Sequence, residues 1–367
     1  MTNEAIRIGL EENITSRFSL SDKCYRRFAC YPYHTAYRLA AINIATGLLH
    51  NYRSELRRNK SVKKPYLTHP LMRIWARTLK IERGHLRLTV IPNGKIKKSE
   101  RKFTTIPLTS YVLRSISGFT VRSVTLTACT LSIAFSKETV VTEPTGLIGI
   151  DRNLDNVTTA SLTGKTMVYD LSKASQVKQK YYAVRSHFKR NDVRVRTKIY
   201  GKYGQKQRNK VQDVLHKTSK AIVADAQASN SAIVMENLKG IRKLYHKGNG
   251  QGNYYRGRLN LWSFYELQRQ IDYKARWLGI PVIYVKAAKT SSRCAICGSE
   301  ITECTQRKVW CGRCQKLSDR DENAALNIVK RGVILAPVGF ASEAMVQEPA
   351  IVSGTPESRC KQMNRQI

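Results

Sequence analysis

Two apolar runs in this chain each end on a carboxylate. Leu147-Ile-Gly-Ile leads into Asp151, and Ala232-Ile-Val-Met leads into Glu236. Unbroken apolar runs of this length predict strands buried on both faces. Residues 157–162 and 166–170 predict two further short strands, and Gly164-Lys165 between them is a hairpin turn signal. A long helical pattern follows from about 172 to 230, then the strand at 231–236 and a Gly-rich loop at 246–257. A helix at 261–278 places Phe264, Leu267, Ile271, Ala275 and Leu278 on one face, with Gly279 as its stop. A strand at 281–285 comes next.

The earlier part of the chain reads differently. Residues 33–58 predict a helix whose last turns carry Arg53, Arg57 and Arg58, where cations suit the helix dipole. Alternation at 86–91, before the turn signal Pro92-Asn-Gly, and at 124–135 predicts strands. Residues 1–30 show a mixed polar pattern with no element assigned. No internal repeat is present, and 337–367 lack periodicity and predict a loose tail. A boundary falls near Glu143-Pro-Thr-Gly. Together these predict an α/β chain. A small β-rich domain carries a helical insertion, and an antiparallel meander then leads to helices and further strands, the order of a ribonuclease H-like core.

Composition narrows the partner. The chain has 367 residues, 42% of them hydrophobic, and a formal net charge of +38. That apolar content suits a folded protein, and the charge makes a long polyanion the expected partner. No N-terminal segment resembles a signal peptide. The apolar patch at 332–341 is too short to span a bilayer and contains Pro337, so no membrane partner and a cytoplasmic location are expected. Nine cysteines in that compartment point to metal ligands or buried thiols rather than a disulfide framework. Cys294-Ala-Ile-Cys297 and Cys311-Gly-Arg-Cys314 are paired knuckles whose four thiolates suit one structural, tetrahedral Zn2+. Cys304, between them, is the alternative ligand.

Three acidic residues carry the candidate chemistry. Asp151 and Glu236 stand at strand ends, and Asp321, in Asp319-Arg-Asp-Glu-Asn-Ala-Ala-Leu-Asn-Ile, stands at a helix start. Carboxylates delivered from separate elements can hold Mg2+ or Mn2+ against a phosphodiester; Asp151 is the expected bridging ligand, with Glu236 and Asp321 completing the metal shells. Such hydrolysis is expected to leave a 5′-phosphate and a 3′-hydroxyl. Asp155 and Asp319 are read as orienting or capping groups. Arg152, Lys239 and Arg320 either contact a scissile strand or balance charge. The basic stretch 173–220 includes Lys189, Arg190, Arg194, Arg196, Lys198, Arg208 and Lys210, which with Arg320 are the expected nucleic-acid contacts. Tyr181, Tyr182, Phe188, Tyr200 and Tyr203 are interleaved there, either as base-stacking groups or as the buried stripe of the helices.

These motifs resemble the TnpB proteins encoded by insertion sequences, relatives of the type V CRISPR effector nucleases. The resemblance runs from about 146 to 332. Gly149-Ile-Asp-Arg-Asn-Leu-Asp-Asn is similar to the family's first RuvC motif, and Leu215-His-Lys-Thr-Ser-Lys with Ile233-Val-Met-Glu-Asn-Leu-Lys-Gly-Ile to the second. Trp262-Ser-Phe-Tyr-Glu-Leu, Tyr273-Lys-Ala, Gly279-Ile-Pro-Val and Thr290-Ser lead to the ribbon, and the motif at 319–328 resembles the third. Gln315 departs from the glycine that usually follows the last cysteine.

The resemblance implies a RuvC nuclease core at 146–290 and 317–332, a zinc ribbon at 291–316 and a flexible tail at 333–367. A β-rich wedge domain would occupy 1–145, with a helical recognition insertion at about 31–80. The implied activity is that of an RNA-guided DNA endonuclease whose catalytic acids are Asp151, Glu236 and Asp321. Its partners would be a guide RNA from the transposon end and double-stranded target DNA, cut beside a short duplex motif. One protein per RNA is the family's arrangement, and compact relatives also dimerise. The competing readings are a guided DNA-binding repressor without cleavage, and an unguided RuvC-like nuclease or transposase.

Overall fold

The computed structural model describes residues 1–31, 33–58, 62–90, 102–188, 192–241, 252–304 and 307–335. The chain divides into two compact units, Met1–Glu138 and Thr139–Ile367. No helix among the described residues is long and apolar enough to cross a membrane.

In the first unit, α1 (Thr2–Glu11) and α2 (Arg17–Cys24) pack on α3 (Thr35–Leu56). Ile6, Ile8, Leu20 and Cys24 meet Ile42, Ala45 and Leu49 in one core. Helices as short as α1 and α2 are marginal alone and take their stability from burial, so the local pattern at 1–30 does not announce them. Seven further elements follow: β1 (Leu71–Trp75), β2 (Leu79–Glu82), β3 (His85–Val90), β4 (Lys102–Pro107), α4 (Ser110–Ile116), β5 (Thr120–Thr127) and β6 (Leu131–Ser136). They form two antiparallel sheets, β1-β5-β6 and β2-β3-β4. Ile74, Leu79, Leu86, Leu88 and Val124 share a core with Tyr37 of α3. β1 and β2 fall inside the stretch expected as a helical insertion; β1 is held by β5, far along the chain, a pairing that local periodicity does not report. The single strand expected at 124–135 is broken by a turn in which the Thr127 amide donates to the Thr130 carbonyl at 3.0 Å.

The second unit opens with β7 (Gly146–Arg152), β8 (Asn156–Ser161) and β9 (Thr166–Asp170), an antiparallel meander. Then come α5 (Ser172–Ser186), a π-helical turn at Val195–Tyr200, α6 (Gly201–Ala228) and β10 (Ser231–Asn237). After these run α7 (Asn253–Leu261), α8 (Phe264–Trp277) and β11 (Val282–Lys286). The sheet order is β11-β10-β7-β8-β9, with β10 parallel to both β7 and β11. A three-stranded ribbon of β12 (Thr302–Glu303), β13 (Lys308–Cys311) and β14 (Lys316–Asp319) leads into α9 (Arg320–Leu335). The Gly-rich loop expected at 246–257 is helical from Asn253 onward, and the helix expected from 261 starts at Phe264. The tail from Pro337 lies outside the described residues.

Strand alternation sorts the core into two faces. Ile148, Ile150, Ile233 and Met235 face α6 and α8, meeting Leu215, Ile222, Leu267 and Ile271. Leu147, Ala232 and Val234 face the other way and meet Ile328 and Val329 of α9. Gly149 belongs to that second row. A Cβ there would lie 2.4 Å from the Ala325 carbonyl oxygen and 2.7 Å from the Val329 amide nitrogen. Gly332 of α9 is similarly close to β10, where a Cβ would meet Val234 at 2.5 Å. The helix therefore rests on the strand backbone itself. Gly149→Ala should cost about 1–3 kcal/mol by overpacking, because the obstructing atoms are backbone and cannot rotate away. A chemical-denaturation midpoint unchanged from wild type would show that α9 does not sit this tightly.

Candidate active site

Asp151 and Glu236 continue the strand rows that face α9. The parity of 147, 149 and 151, and of 232, 234 and 236, puts both carboxylates on that side of the sheet. β7 and β10 run parallel with Ile150 opposite Met235, so the two acids follow as neighbours at the C-terminal strand ends. Asp321 sits in the first turn of α9, which lies against the same two strands. Asp319 caps that helix: its Oδ1 accepts from the amides of Asp321 at 2.9 Å and Glu322 at 3.4 Å. Asp155 is committed elsewhere, accepting from the Ser175 hydroxyl and, through its carbonyl, from the Leu171 amide.

The site is buried and strongly negative. Asp151 is 9% exposed, and its carboxyl is pushed up to about 7 by burial, then by Glu236, then by Asp321. Burial also raises the Glu236 carboxyl; the Thr290 hydroxyl, 2.6 Å from its Oε1, and the charge of Arg152 act in the opposite sense. Asn153 donates to Asp151 Oδ2 at 2.9 Å and accepts from Arg307 Nη2 at 3.2 Å. Arg307 also forms a bidentate pair with Asp321, one contact of which is Nε to Oδ2 at 3.1 Å. Asp151, Asn153, Glu236, Thr290 and Arg307 line a cleft of about 440 Å³ together with Tyr255, Arg258 and Trp262, and Asp321 is tied to it through Arg307.

Of the cations expected near the acids, two are occupied. Arg152 is 3% exposed and donates to the Glu236 carbonyl at 2.6 Å and to Gln268 Oε1 at 2.6 Å, pinning β7 to β10 and α8. Arg320 pairs with Glu303. Lys239 is exposed. Asn153 and Thr290 stand in motifs quoted from the sequence but with no role assigned, and Arg307 was not singled out. Arg307 belongs to the ribbon, and nothing in its local sequence marks its proximity to Asp321.

The basic hairpin separates its aromatics. Tyr181, Phe188 and Tyr203 pack together, with ring centroids 6.1 Å and 6.4 Å from Tyr203, and the Tyr200 hydroxyl donates to the Arg185 carbonyl at 2.8 Å. Tyr182 remains 64% exposed. The stripe reading holds for the former set, and Tyr182 is the ring left open to a ligand. Arg194, Lys198, Arg208 and Lys210 are exposed, and Arg196 lies in the π-helical turn. Lys189 and Arg190 lie outside the described residues.

Cys294, Cys297, Cys311 and Cys314 bring their sulfurs within 4.8 Å of one another. Contacts of 3.8 Å between Cys294 and Cys314 and 3.5 Å between Cys297 and Cys311 are close to the roughly 3.8 Å edge of a tetrahedron built on 2.3 Å Zn–S bonds. The Ile296 and Cys314 amides donate to the sulfurs of Cys294 and Cys311, each at 3.4 Å, as a pair of knuckles requires. Among the described residues this is the one such cluster of potential ligands, so the three carboxylates are spaced more widely. Asn323 and Asn327 tie the ribbon to α9: Asn323 receives the Ala295 amide at 2.8 Å, and both donate to the Arg293 carbonyl at 2.7 Å.

Gln315 has φ 51°, in the left-handed region that glycine occupies without penalty. Gln315→Gly should therefore stabilise the ribbon by about 0.5–1 kcal/mol, visible as greater resistance of the zinc-loaded protein to denaturant. A loss of stability would mean that the glutamine side chain makes a contact outweighing its backbone strain.

The Cas12f1-like TNB domain model matches residues 264–328, from the start of α8 into α9. A TnpB-like protein of Methanocaldococcus jannaschii is 31% identical over 253 residues, 65% of this chain and 90% of that protein. The CRISPR-associated endodeoxyribonuclease Cas12f2 of a Micrarchaeota archaeon is 35% identical over 128 residues, 32% of this chain and 23% of that protein. A solved Cas12f1–sgRNA–target DNA complex shares the fold at TM-score 0.63 and 15% identity, over 89% of this chain and 80% of its protein chain. With a likeness that spans nearly the whole of the archaeal relative, the chain belongs to the TnpB family, related to the type V effectors.

Proposed function

We propose that this protein is an RNA-guided DNA endonuclease of a transposable element, cutting by metal-dependent phosphodiester hydrolysis. The observation that carries the reading is the convergence of Asp151, Glu236 and Asp321 from two parallel strand ends and a helix start: Asp151 and Glu236 line one cleft, and Asp321 is joined to it through Arg307. The sheet order supports a ribonuclease H-like, RuvC-type core at 146–290 and 317–332, with the ribbon at 291–316 inserted. In this reading 1–145 forms the wedge domain. The names of the relatives add support: one is an endodeoxyribonuclease, and the structural neighbour is a complex with guide RNA and target DNA.

The donor set fits the metals proposed for it. Four thiolates at tetrahedral spacing suit Zn2+. Three oxygen donors, with Asp151 raised by burial and then by the charges of Glu236 and Asp321, suit hard divalent ions, Mg2+ or Mn2+, which would offset that charge. Such ions, when bound, supply an activated water and a counter-charge for the leaving oxygen. The chain's own residues do the positioning. Asn153 orients Asp151, Thr290 orients Glu236, and Asp319 fixes the first turn carrying Asp321. Arg307, held by Asp321 and Asn153, presents cationic charge at the cleft, where a phosphate would lie. The exposed cations of α6 and the π-helical turn attract the nucleic acid backbone.

The test is to purify the protein expressed with its native genomic flank and to sequence the RNA that accompanies it. One discrete RNA ending in a variable segment is expected, and adding that RNA should switch on cleavage of matching DNA. Heterogeneous RNA, or cleavage that needs no RNA, would overturn the guided reading.

A further inference from the structure

The outer face of α8 carries a repeat that the carboxylate cleft does not use. Tyr265, Arg269 and Tyr273 recur at four-residue spacing and so share one side of the helix. Tyr265 is 61% exposed and Tyr273 is 41% exposed. Single exposed aromatics are ordinary, but here two rings bracket a fixed guanidinium. Arg269 lies 5.7 Å from the Tyr273 ring centroid and binds Glu266 through two contacts, at 3.1 Å and 2.7 Å. Glu266 also accepts from Gln212 at 3.0 Å and Gln270 at 3.2 Å, and Gln270 is fully buried. Its carboxyl is pushed down to about 2, chiefly by Arg269. A buried amide network thus holds the guanidinium from beneath, while half of the Arg269 side chain stays open.

The surroundings favour an anionic, aromatic ligand. His216 of α6 extends the row, its Nδ1 3.5 Å from the Tyr273 hydroxyl. Lys217, Lys220 and Arg276 are exposed nearby. The neighbouring acids are already paired, Asp213 with Lys217 at 2.8 Å and Asp272 with Arg276 at 3.0 Å. At its other end the row enters a groove of about 440 Å³ bordered by Tyr265, Arg208, Asn260 and Trp262. Trp262 also lines the carboxylate cleft, and its buried indole N–H has no acceptor among the described residues. Four residues of helix rise by about 6 Å, close to the spacing of two planes with one base of about 3.4 Å thickness between them.

We propose that Tyr265, Arg269 and Tyr273 form a stacking platform for unpaired nucleotides, continuous past Trp262 with the carboxylate cleft. The ligand is single-stranded nucleic acid, read by π-faces rather than by base edges. The proposal deepens the nucleic-acid reading above but requires no cleavage.

The experiment uses the full chain, freed of nucleic acid, without added Mg2+ or Mn2+ and at high salt, where contacts to phosphate alone are weak. Single-stranded DNA and RNA oligonucleotides bearing 5-iodouracil are photocrosslinked to it and the adducts mapped by mass spectrometry. Adducts are expected at Tyr265 or Tyr273, and comparison of the two oligonucleotides assigns the strand type. Tyr265→Ala with Tyr273→Ala should lower affinity for the single strand about tenfold or more and leave duplex affinity unchanged. The corresponding phenylalanine variants should bind as wild type, since they keep the π-face. Adducts confined to other segments, or equal losses for single strand and duplex, would overturn the platform. Because no Mg2+ or Mn2+ is added, a protein that never cuts DNA would still give the adducts, so the two readings fail separately.

Discussion

Asp151→Asn is expected to lower the rate of guided cleavage by about a thousandfold or more, since a bridging ligand contributes several kcal/mol of transition-state stabilisation. Affinity for RNA and target should stay within about twofold, because the exposed cations that attract phosphate are untouched. Cleavage retained within tenfold would remove Asp151 from the site. The same variant should behave differently from wild type in acid. The Asp151 carboxyl is pushed up to about 7 in the folded chain, against 3.8 ordinarily. Between those values the folded state binds more protons than the unfolded one, so without added Mg2+ or Mn2+ the wild-type protein should lose stability as pH rises through that window. The span corresponds to a few kcal/mol. In Asp151→Asn this part of the slope should vanish, and the variant should be the more stable protein at neutral pH. An unchanged slope between pH 4 and 7 would show that the carboxylate is not buried beside Glu236 and Asp321.

Loss of the ribbon's zinc is the second large effect. Elemental analysis should find one zinc per chain, and Cys311→Ser should remove it. Structural zinc binding carries roughly 10–16 kcal/mol in small ribbon-like peptides, so the ribbon should unfold without it. The local reporter is Trp310, which is 1% exposed within β13 and is one of four tryptophans in the chain. Its emission should shift to longer wavelength on chelation. The core sheet does not depend on the ribbon for its packing, so a separate, later unfolding transition should remain. Cleavage should nevertheless fall steeply, because Arg307 leaves with the ribbon and Asn323 and Asn327 lose their partners. A zinc-free protein with buried Trp310 and full activity would refute the metal site.

Elements whose burial pattern repeats locally were legible in advance. The runs ending at Asp151 and Glu236 are strands because both of their faces are covered, and α8 buries the expected Phe264, Leu267, Ile271 and Ala275, whereas Leu278 lies past its end and is exposed. The four cysteines could be grouped from spacing alone, since each knuckle is a local turn. What escaped the sequence depends on distant partners. Arg152, expected either to contact a scissile strand or to balance charge, is enclosed by Glu236, Phe264 and Gln268, all far along the chain. Arg307 reaches Asp321 only because the ribbon folds back. α1 and α2 exist through burial against α3, and β1 exists through β5. The aromatics of the basic hairpin could not be divided into stripe and surface until the two helices were seen together.

The bare contact at Gly149 between β7 and α9 has a consequence for how this scaffold tolerates change. At Gly149 the helix is spaced from the strand by the thickness of the peptide backbone, a length that mutation of neighbouring core residues cannot alter. At that contact the approach of α9 to β7 is set by backbone rather than by side-chain size. The excursion between β11 and α9 leaves the sheet and returns to this seat. Its length can vary where it does not carry Thr290, Arg307 or the backbone groups that Asn323 and Asn327 hold.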